Sequence, residues 1–185
     1  MDMRMLERAR MAMMAHPDTP QPASFIEGIV YPAFQEPATE VSHRNTMQRL
    51  PVGLHKIGRQ ALAAVSGDEK KHALFYTELT TSALQVDASS TIIAIARQVR
   101  DFAMPGKSIP GFKEHAEIIE RAGIFGAPQL LAIYEERIDD TWDIWNRSGL
   151  SDDAERARDY LKNYLSKMHR VIEWAARKRE EKPAT

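Results

Sequence analysis

Ala64-Val65-Ser66-Gly67-Asp68-Glu69-Lys70-Lys71-His72 lies in the middle of a long stretch, from about His55 to Val86, with no proline and no strand-like alternation. Glu69 and His72 are three residues apart, so on a helix both side chains leave the same face. Leu62, Val65, Phe75, Tyr76 and Leu79 make that face apolar. A carboxylate and an imidazole in such company are costly unless they are paired or metal-bound. Glu-x-x-His on a helix is how carboxylate-bridged di-iron and di-manganese bundles hold their metals. The spacing alone is weak evidence. With 15 Glu and 6 His in 185 residues, about 0.5 such pairs arise by chance. A second pair, Glu40-Val41-Ser42-His43, is indeed present.

The preceding helix supplies context. It reads Phe34-Gln35-Glu36-Pro37-Ala38-Thr39-Glu40-Val41-Ser42-His43-Arg44-Asn45-Thr46. Glu36, Thr39, His43 and Thr46 share a face by spacings of three, four and three. A lone carboxylate on a core-like helix, beside a helix bearing Glu-x-x-His, is half of a di-metal site. A full site takes four carboxylates and two histidines.

Outward from this pair, the whole chain reads as helix. Glycine is scarce, at 9 residues. Helices are predicted over 2–15, 24–50, 55–86, 91–102, 112–122, 128–146 and 152–181. The run from His16 to Pro22 ends the first, and Pro51 and Gly53 turn the chain after the second. Asp87, Ser89 and Ser90 are N-cap candidates for the fourth. Met104 to Gly111 is a loop, Pro128 opens a helix at a first-turn position, and Ser151 caps the last one, with Asp152 and Asp153 in its first turn. The expectation is one helical domain over 1–185, an all-α bundle with the two long helices as its central pair; helices that long suit a ferritin-like bundle and many other all-α proteins.

Composition excludes several classes. There is no cysteine, so disulfide scaffolds, thiol nucleophiles and thiolate-held metal clusters are out. Net charge is −1 and pI about 6.6, without the basic excess of a nucleic-acid binder. No segment reaches the 18 or so apolar residues of a membrane span. The opening, Met1 to His16, lacks the apolar run of a secretory signal and carries acidic residues. A cytoplasmic location is expected.

The two quoted segments together resemble the soluble acyl-[acyl-carrier-protein] desaturases of plant plastids and actinobacteria. The matching residues are Phe34, Gln35, Glu36, Ala38, Thr39, Ser42, His43, Asn45 and Thr46, then Asp68, Glu69, Lys70, His72, Tyr76 and Thr77. Met104-Pro105 and Pro110-Gly111-Phe112 look closer to the actinobacterial branch. The resemblance runs from Met1 along essentially the whole chain.

The resemblance implies a di-iron centre, with half of its ligands in this chain. Glu36 would be a terminal ligand, Glu69 a bridging carboxylate, and His72 a terminal ligand on the same iron as Glu36. Thr39 would be the catalytic hydroxyl beside the oxygen-binding face, and Asp68 would orient a histidine. The implied partners are an acyl carrier protein bearing a saturated acyl chain, a ferredoxin-type electron donor and a second copy in a homodimer. Glu40 is expected at the surface, and His43 is expected to be structural.

The chain departs from the family pattern in two ways. The other Glu and the first Glu-x-x-His of the family fall upstream of Met1. Pro32 and Pro37 lie inside the ligand-bearing helix, where each removes a backbone donor and crowds the carbonyl four residues back. The competing reading is a truncated, non-catalytic helical remnant that retains only packing or partner binding. Three further expectations concern surfaces. The Met-rich opening helix and an apolar face of the long helices are left open for packing. Trp142, Trp145 and Trp174 are read as packing residues. Arg97, Arg100, Lys107 and Lys113 surround the Met104 loop and could meet an acidic carrier.

Overall fold

A computed structural model of the chain describes residues 22–51, 55–104 and 110–181, with Arg4, Glu7, Arg8, Arg10 and Met11 of the opening segment. Those five opening residues are helical. The rest of the predicted first helix, Gly53 of the first turn and Lys107 of the loop lie outside the described residues.

Six α-helices follow: α1 (Phe25–Arg49), α2 (Lys56–Val86), α3 (Ala88–Asp101), α4 (Phe112–Arg121), α5 (Ala127–Glu135) and α6 (Asp152–Glu180). The described residues hold no strand. α1 starts where Ser24 Oγ accepts the Glu27 amide at 3.2 Å. Glu27 in turn accepts the Ala23 amide at 3.0 Å, which satisfies two amides at the helix start. α1 runs through Pro32 and Pro37 without interruption. α3 begins at Ala88, three residues before the predicted start, because Asp87 is the cap and accepts the Ser90 amide at 2.9 Å.

α1 and α2 form the central pair. The buried stripe of α2 is Ser66, Ala73, Thr77, Thr80 and Leu84. Its spacing of three and four keeps it on one face, and its small residues let α1 approach closely. The hydroxyls along it cost little, since Thr77 and Thr80 donate to the carbonyls of Ala73 and Tyr76 at 2.6 and 2.9 Å. Cross-links fix an antiparallel register: Arg59 Nη1 donates to Met47 O at 2.6 Å, and Ser66 Oγ donates to Glu40 O at 3.4 Å.

α3, α5 and α6 cover this pair with a core centred on aromatic rings. Phe34 of α1 meets Tyr134 edge-on at 5.0 Å and Trp142 at 5.4 Å. Trp142 is fully buried and its indole donates to Thr77 O at 3.4 Å. Trp142 packs as predicted. Trp145 is half-buried, with its indole on Asp139. Trp174, at 58% exposure, has no such place in the chain.

The predicted helix 128–146 is broken. It ends at Glu135 and passes into a π-helical segment, Glu136–Thr141, then a 3-10 turn at Ile144–Asn146. The wider turn bonds the Trp142 amide to Arg137 O at 2.9 Å. This swings Trp142 into the core, and Asp143 absorbs the reversal at φ 47.

The expected open apolar face is present. Ile57, Val65, Phe75 and Val86 of α2 are exposed within one side of the helix, and Leu74 is exposed on the other.

Candidate metal centre

The antiparallel register sets Glu36, near the middle of α1, opposite Glu69 and His72 of α2. His72 Nδ1 lies 3.4 Å from Glu36 Oε2 and 3.6 Å from Glu69 Oε2. One ligand atom from each of the three side chains falls within 4.8 Å of the others. Donors bonded to one ion at about 2 Å sit about 3 to 3.5 Å apart, so little movement is needed to close on a cation.

The two carboxylates are largely buried, with side-chain exposures of 16% and 20%, whereas the His72 ring is 59% exposed. The three groups therefore converge at a half-open rim, not the enclosed interior point that the apolar neighbours of Glu69 suggested. Burial, followed by the hydrogen bond and charge of Glu69, pushes the Glu36 carboxyl up to about 7, and His72 opposes this. Shielded from water and set beside Glu69, the Glu36 carboxyl favours its protonated form. A cation would replace that proton. The donor set, two carboxylates and an imidazole, fits a ferrous or manganous ion.

This coupling has a consequence for pH. The folded Glu36 carboxyl keeps its proton up to about 7, whereas the unfolded one releases it near 4.5. The folded state thus binds more protons between those values. The stability this group contributes is complete below about 4.5 and is lost as pH rises through about 7. Denaturant titrations with chelator present, at about pH 5 and about pH 8, should show lower stability at the higher pH. Glu36→Gln should flatten the difference.

The remaining candidate residues fall into place as follows. Thr39 is one turn beyond Glu36, and its hydroxyl donates to the carbonyls of Glu36 and Gln35 at 2.8 and 3.2 Å. Asp68 is exposed, and its carboxylate accepts Lys71 Nζ at 2.9 Å. His72 is close enough to hold the Asp68 carboxyl below its usual range, a smaller effect than that of Lys71. Glu40 is not a surface residue. Its side chain is 14% exposed, and its Oε1 accepts from both Arg44 at 2.9 Å and Ser66 at 3.4 Å. Among the described residues, neither Glu40 nor His43 joins the three-residue cluster.

Of the predicted carrier-facing cations, Arg97 is taken by buried Glu27 at 3.0 Å and ties α3 to α1. Arg100 pairs with Asp101 at 2.6 Å. Lys113 lines an apolar cavity of about 700 Å3 with Phe102, Met104, Phe112 and Phe125.

Sequence reasoning missed Arg137. The π-helical segment buries it, with Nη1 on Glu136 at 2.9 Å and Nε without a partner. It lines a groove of about 740 Å3 with Arg44, Lys70, Leu74 and Thr141, on the far side of α2 from His72. No motif marks it, because only the change of helix type turns it inward.

The family model for fatty acid desaturases matches residues 1–185. The chain belongs to that family. Similar proteins are acyl-[acyl-carrier-protein] desaturases by name. The chloroplastic stearoyl-[acyl-carrier-protein] 9-desaturase of Gossypium hirsutum is 29% identical, over 96% of this chain and 46% of its own length. The chloroplastic acyl-[acyl-carrier-protein] desaturase 7 of Oryza sativa subsp. japonica is 34% identical, over 95% of this chain and 45% of its own. DesA2 from Mycobacterium tuberculosis H37Rv, a solved structure assigned as an acyl-ACP desaturase, superposes with a TM-score of 0.61 at 26% identity. That match covers 77% of this chain and 56% of DesA2.

The desaturase family and its helical ferritin-like fold, expected from the residues around Glu36 and Glu69, are thus established. The chain spans about half the length of the curated relatives it matches. No described helix of this desaturase-family chain is long and apolar enough to cross a membrane.

Proposed function

We propose that this chain contributes Glu36, Glu69 and His72 as one half of the ligand shell of a di-iron acyl-[acyl-carrier-protein] desaturase. The observation that carries this reading is the convergence of the three side chains, with His72 Nδ1 at 3.4 and 3.6 Å from the two carboxylates. Iron held there would supply the O2-dependent oxidation that removes two hydrogens from neighbouring carbons of a saturated acyl chain. The substrate is such a chain on an acyl carrier protein, and electrons come from a ferredoxin-type donor.

The chain's own groups have separate tasks. Glu36 gives up its proton as the cation arrives. Glu69, which lies between its two partners in the cluster, would be the bridging carboxylate. His72 would offer Nδ1 from the more exposed side of the cluster. Thr39 places a hydroxyl one turn along α1 from Glu36. The apolar flank around the ligands, Val65, Tyr76 and Leu79, suits a hydrocarbon. The remnant reading gains nothing from this geometry, since a chain kept only for packing has no need to hold two carboxylates and an imidazole together.

Iron K-edge absorption of the ferrous-loaded chain tests the assignment. His72→Ala should remove the imidazole scattering, and His43→Ala should leave it. The opposite pattern would shift the site to the Glu40/His43 pair. Three ligands fill about half of a shell of four carboxylates and two histidines. A monomer of this chain, given stearoyl-[acyl-carrier-protein], reduced ferredoxin and O2, should therefore make no alkene above background. Product from a proven monomer would contradict that.

A further inference from the structure

The π-helical segment Glu136–Thr141 does more than seat Trp142. It places Arg137 at the groove between α1, α2 and the segment itself, and π-helical turns are frequent at functional sites. Arg137 is only 9% exposed. Nη1 is its one engaged group among the described residues, on Glu136 at 2.9 Å. Nε is buried with no acceptor. A guanidinium offers five N–H donors in a planar fork, so the Nε–Nη2 edge is left open. Glu136 is 61% exposed, and so solvated a partner offsets little of a buried charge. A buried donor without an acceptor calls for a water or an ion.

Two properties of the groove say what kind of ion. The first is charge. Arg44 is held by Glu40, Lys71 by Asp68 and Arg137 by Glu136. Lys70, exposed at the same groove, has no ion-pair partner among the described residues. The groove therefore carries an excess of one positive charge, which balances a monoanion and not a dianion. The second is apolar surface. Val41 of α1, Leu74 of α2 and Ile133 of α5 line the same groove, and Leu74 is 59% exposed. The volume of about 740 Å3 falls within the range of small-ligand sites, about 300–1,000 Å3. A bare inorganic anion would leave that apolar wall wet.

We infer that this groove binds a single-chain amphipathic carboxylate, its head on the Nε–Nη2 edge of Arg137, its charge balanced by Lys70, and its alkyl chain along Val41, Leu74 and Ile133. A carboxylate suits the edge because its two oxygens match two parallel N–H donors. The site lies on the far side of α2 from His72 and shares no residue with the candidate metal centre. It stands or falls independently of the metal-site reading.

Isothermal titration calorimetry of the 185-residue chain with decanoate, below its micellar concentration and with chelator present, tests this. Saturable binding of a single decanoate per chain is expected. Acetate, which lacks the chain, and decan-1-ol, which lacks the charge, should each bind at least about tenfold more weakly. Decyl phosphate at about pH 8, a dianion, should also bind more weakly than decanoate. Tighter binding of it would overturn the carboxylate assignment. Arg137→Lys keeps a positive charge but loses the fork, and should weaken decanoate binding at least about tenfold. Lys70→Glu and Leu74→Asp alter exposed positions, so they should keep helical circular dichroism while weakening decanoate binding. Val65→Asp, on the other side of α2, should leave it unchanged. No saturable binding to the folded chain would overturn the inference and leave water as the partner of Nε. Binding lost in Val65→Asp but kept in Arg137→Lys and Leu74→Asp would move the ligand away from this groove and overturn it too.

Discussion

Glu69→Ala should weaken ferrous iron binding at least about a hundredfold, measured by anaerobic competition with a chromophoric chelator. Glu69 touches both other ligands: its carboxylate is 3.6 Å from His72, and its hydrogen bond and charge help to raise the Glu36 carboxyl. Its removal takes away one donor and the charge that balances the cation. Loss of a group that merely orients a ligand already costs about 10- to 100-fold in affinity, so loss of a donor should cost at least the upper end. The Glu36 carboxyl, freed of its competitor, should also return toward its usual range. Glu69→Ala should thus stabilise the metal-free chain at about pH 8 while destroying the site. Stability and metal affinity moving in opposite directions is a signature that a merely structural glutamate would not give.

The second large effect is on the core. Trp142→Ala should destabilise the chain by about 3–5 kcal/mol, read from the midpoint of urea unfolding. Trp142 is fully buried and packs edge-on against Phe34. Its indole donates to Thr77 O, so alanine leaves a cavity and removes a hydrogen bond that ties this segment to α2. Single domains are stable by only about 5–15 kcal/mol, so this is a large share. Trp174→Ala is the contrast: at 58% exposure it should change stability by no more than about 0.5 kcal/mol. Equal costs at the two positions would mean that the aromatic core is misplaced.

Local rules made much of the fold legible. α1 and α2 begin and end within a residue of the predicted bounds, because Ser24, Pro51 and Asp87 are strong stop and start signals for the backbone. Glu36, Glu69 and His72, which cluster in the structure, stood out because their helical spacing coincides with the desaturase-family pattern; spacing alone marks Glu40 and His43 equally. Other features depend on groups far apart in the chain. The π-helical segment at Glu136–Thr141 is selected by burying Trp142 and Arg137, a tertiary gain with no sequence signature. Glu40 looked like a surface residue until Ser66, 26 positions on, closed over it. Arg97 looked free until Glu27, 70 positions back, took it. The openness of His72 is likewise a property of what packs on α2, and the helical pattern of α2 alone does not contain it.

The most direct test of the metal-site reading is the iron content of the unmodified chain after anaerobic loading with ferrous iron and removal of excess. Glu36, Glu69 and His72 acting together should retain about one iron per chain. A chain that folds with its full helical content and retains no iron would contradict the account.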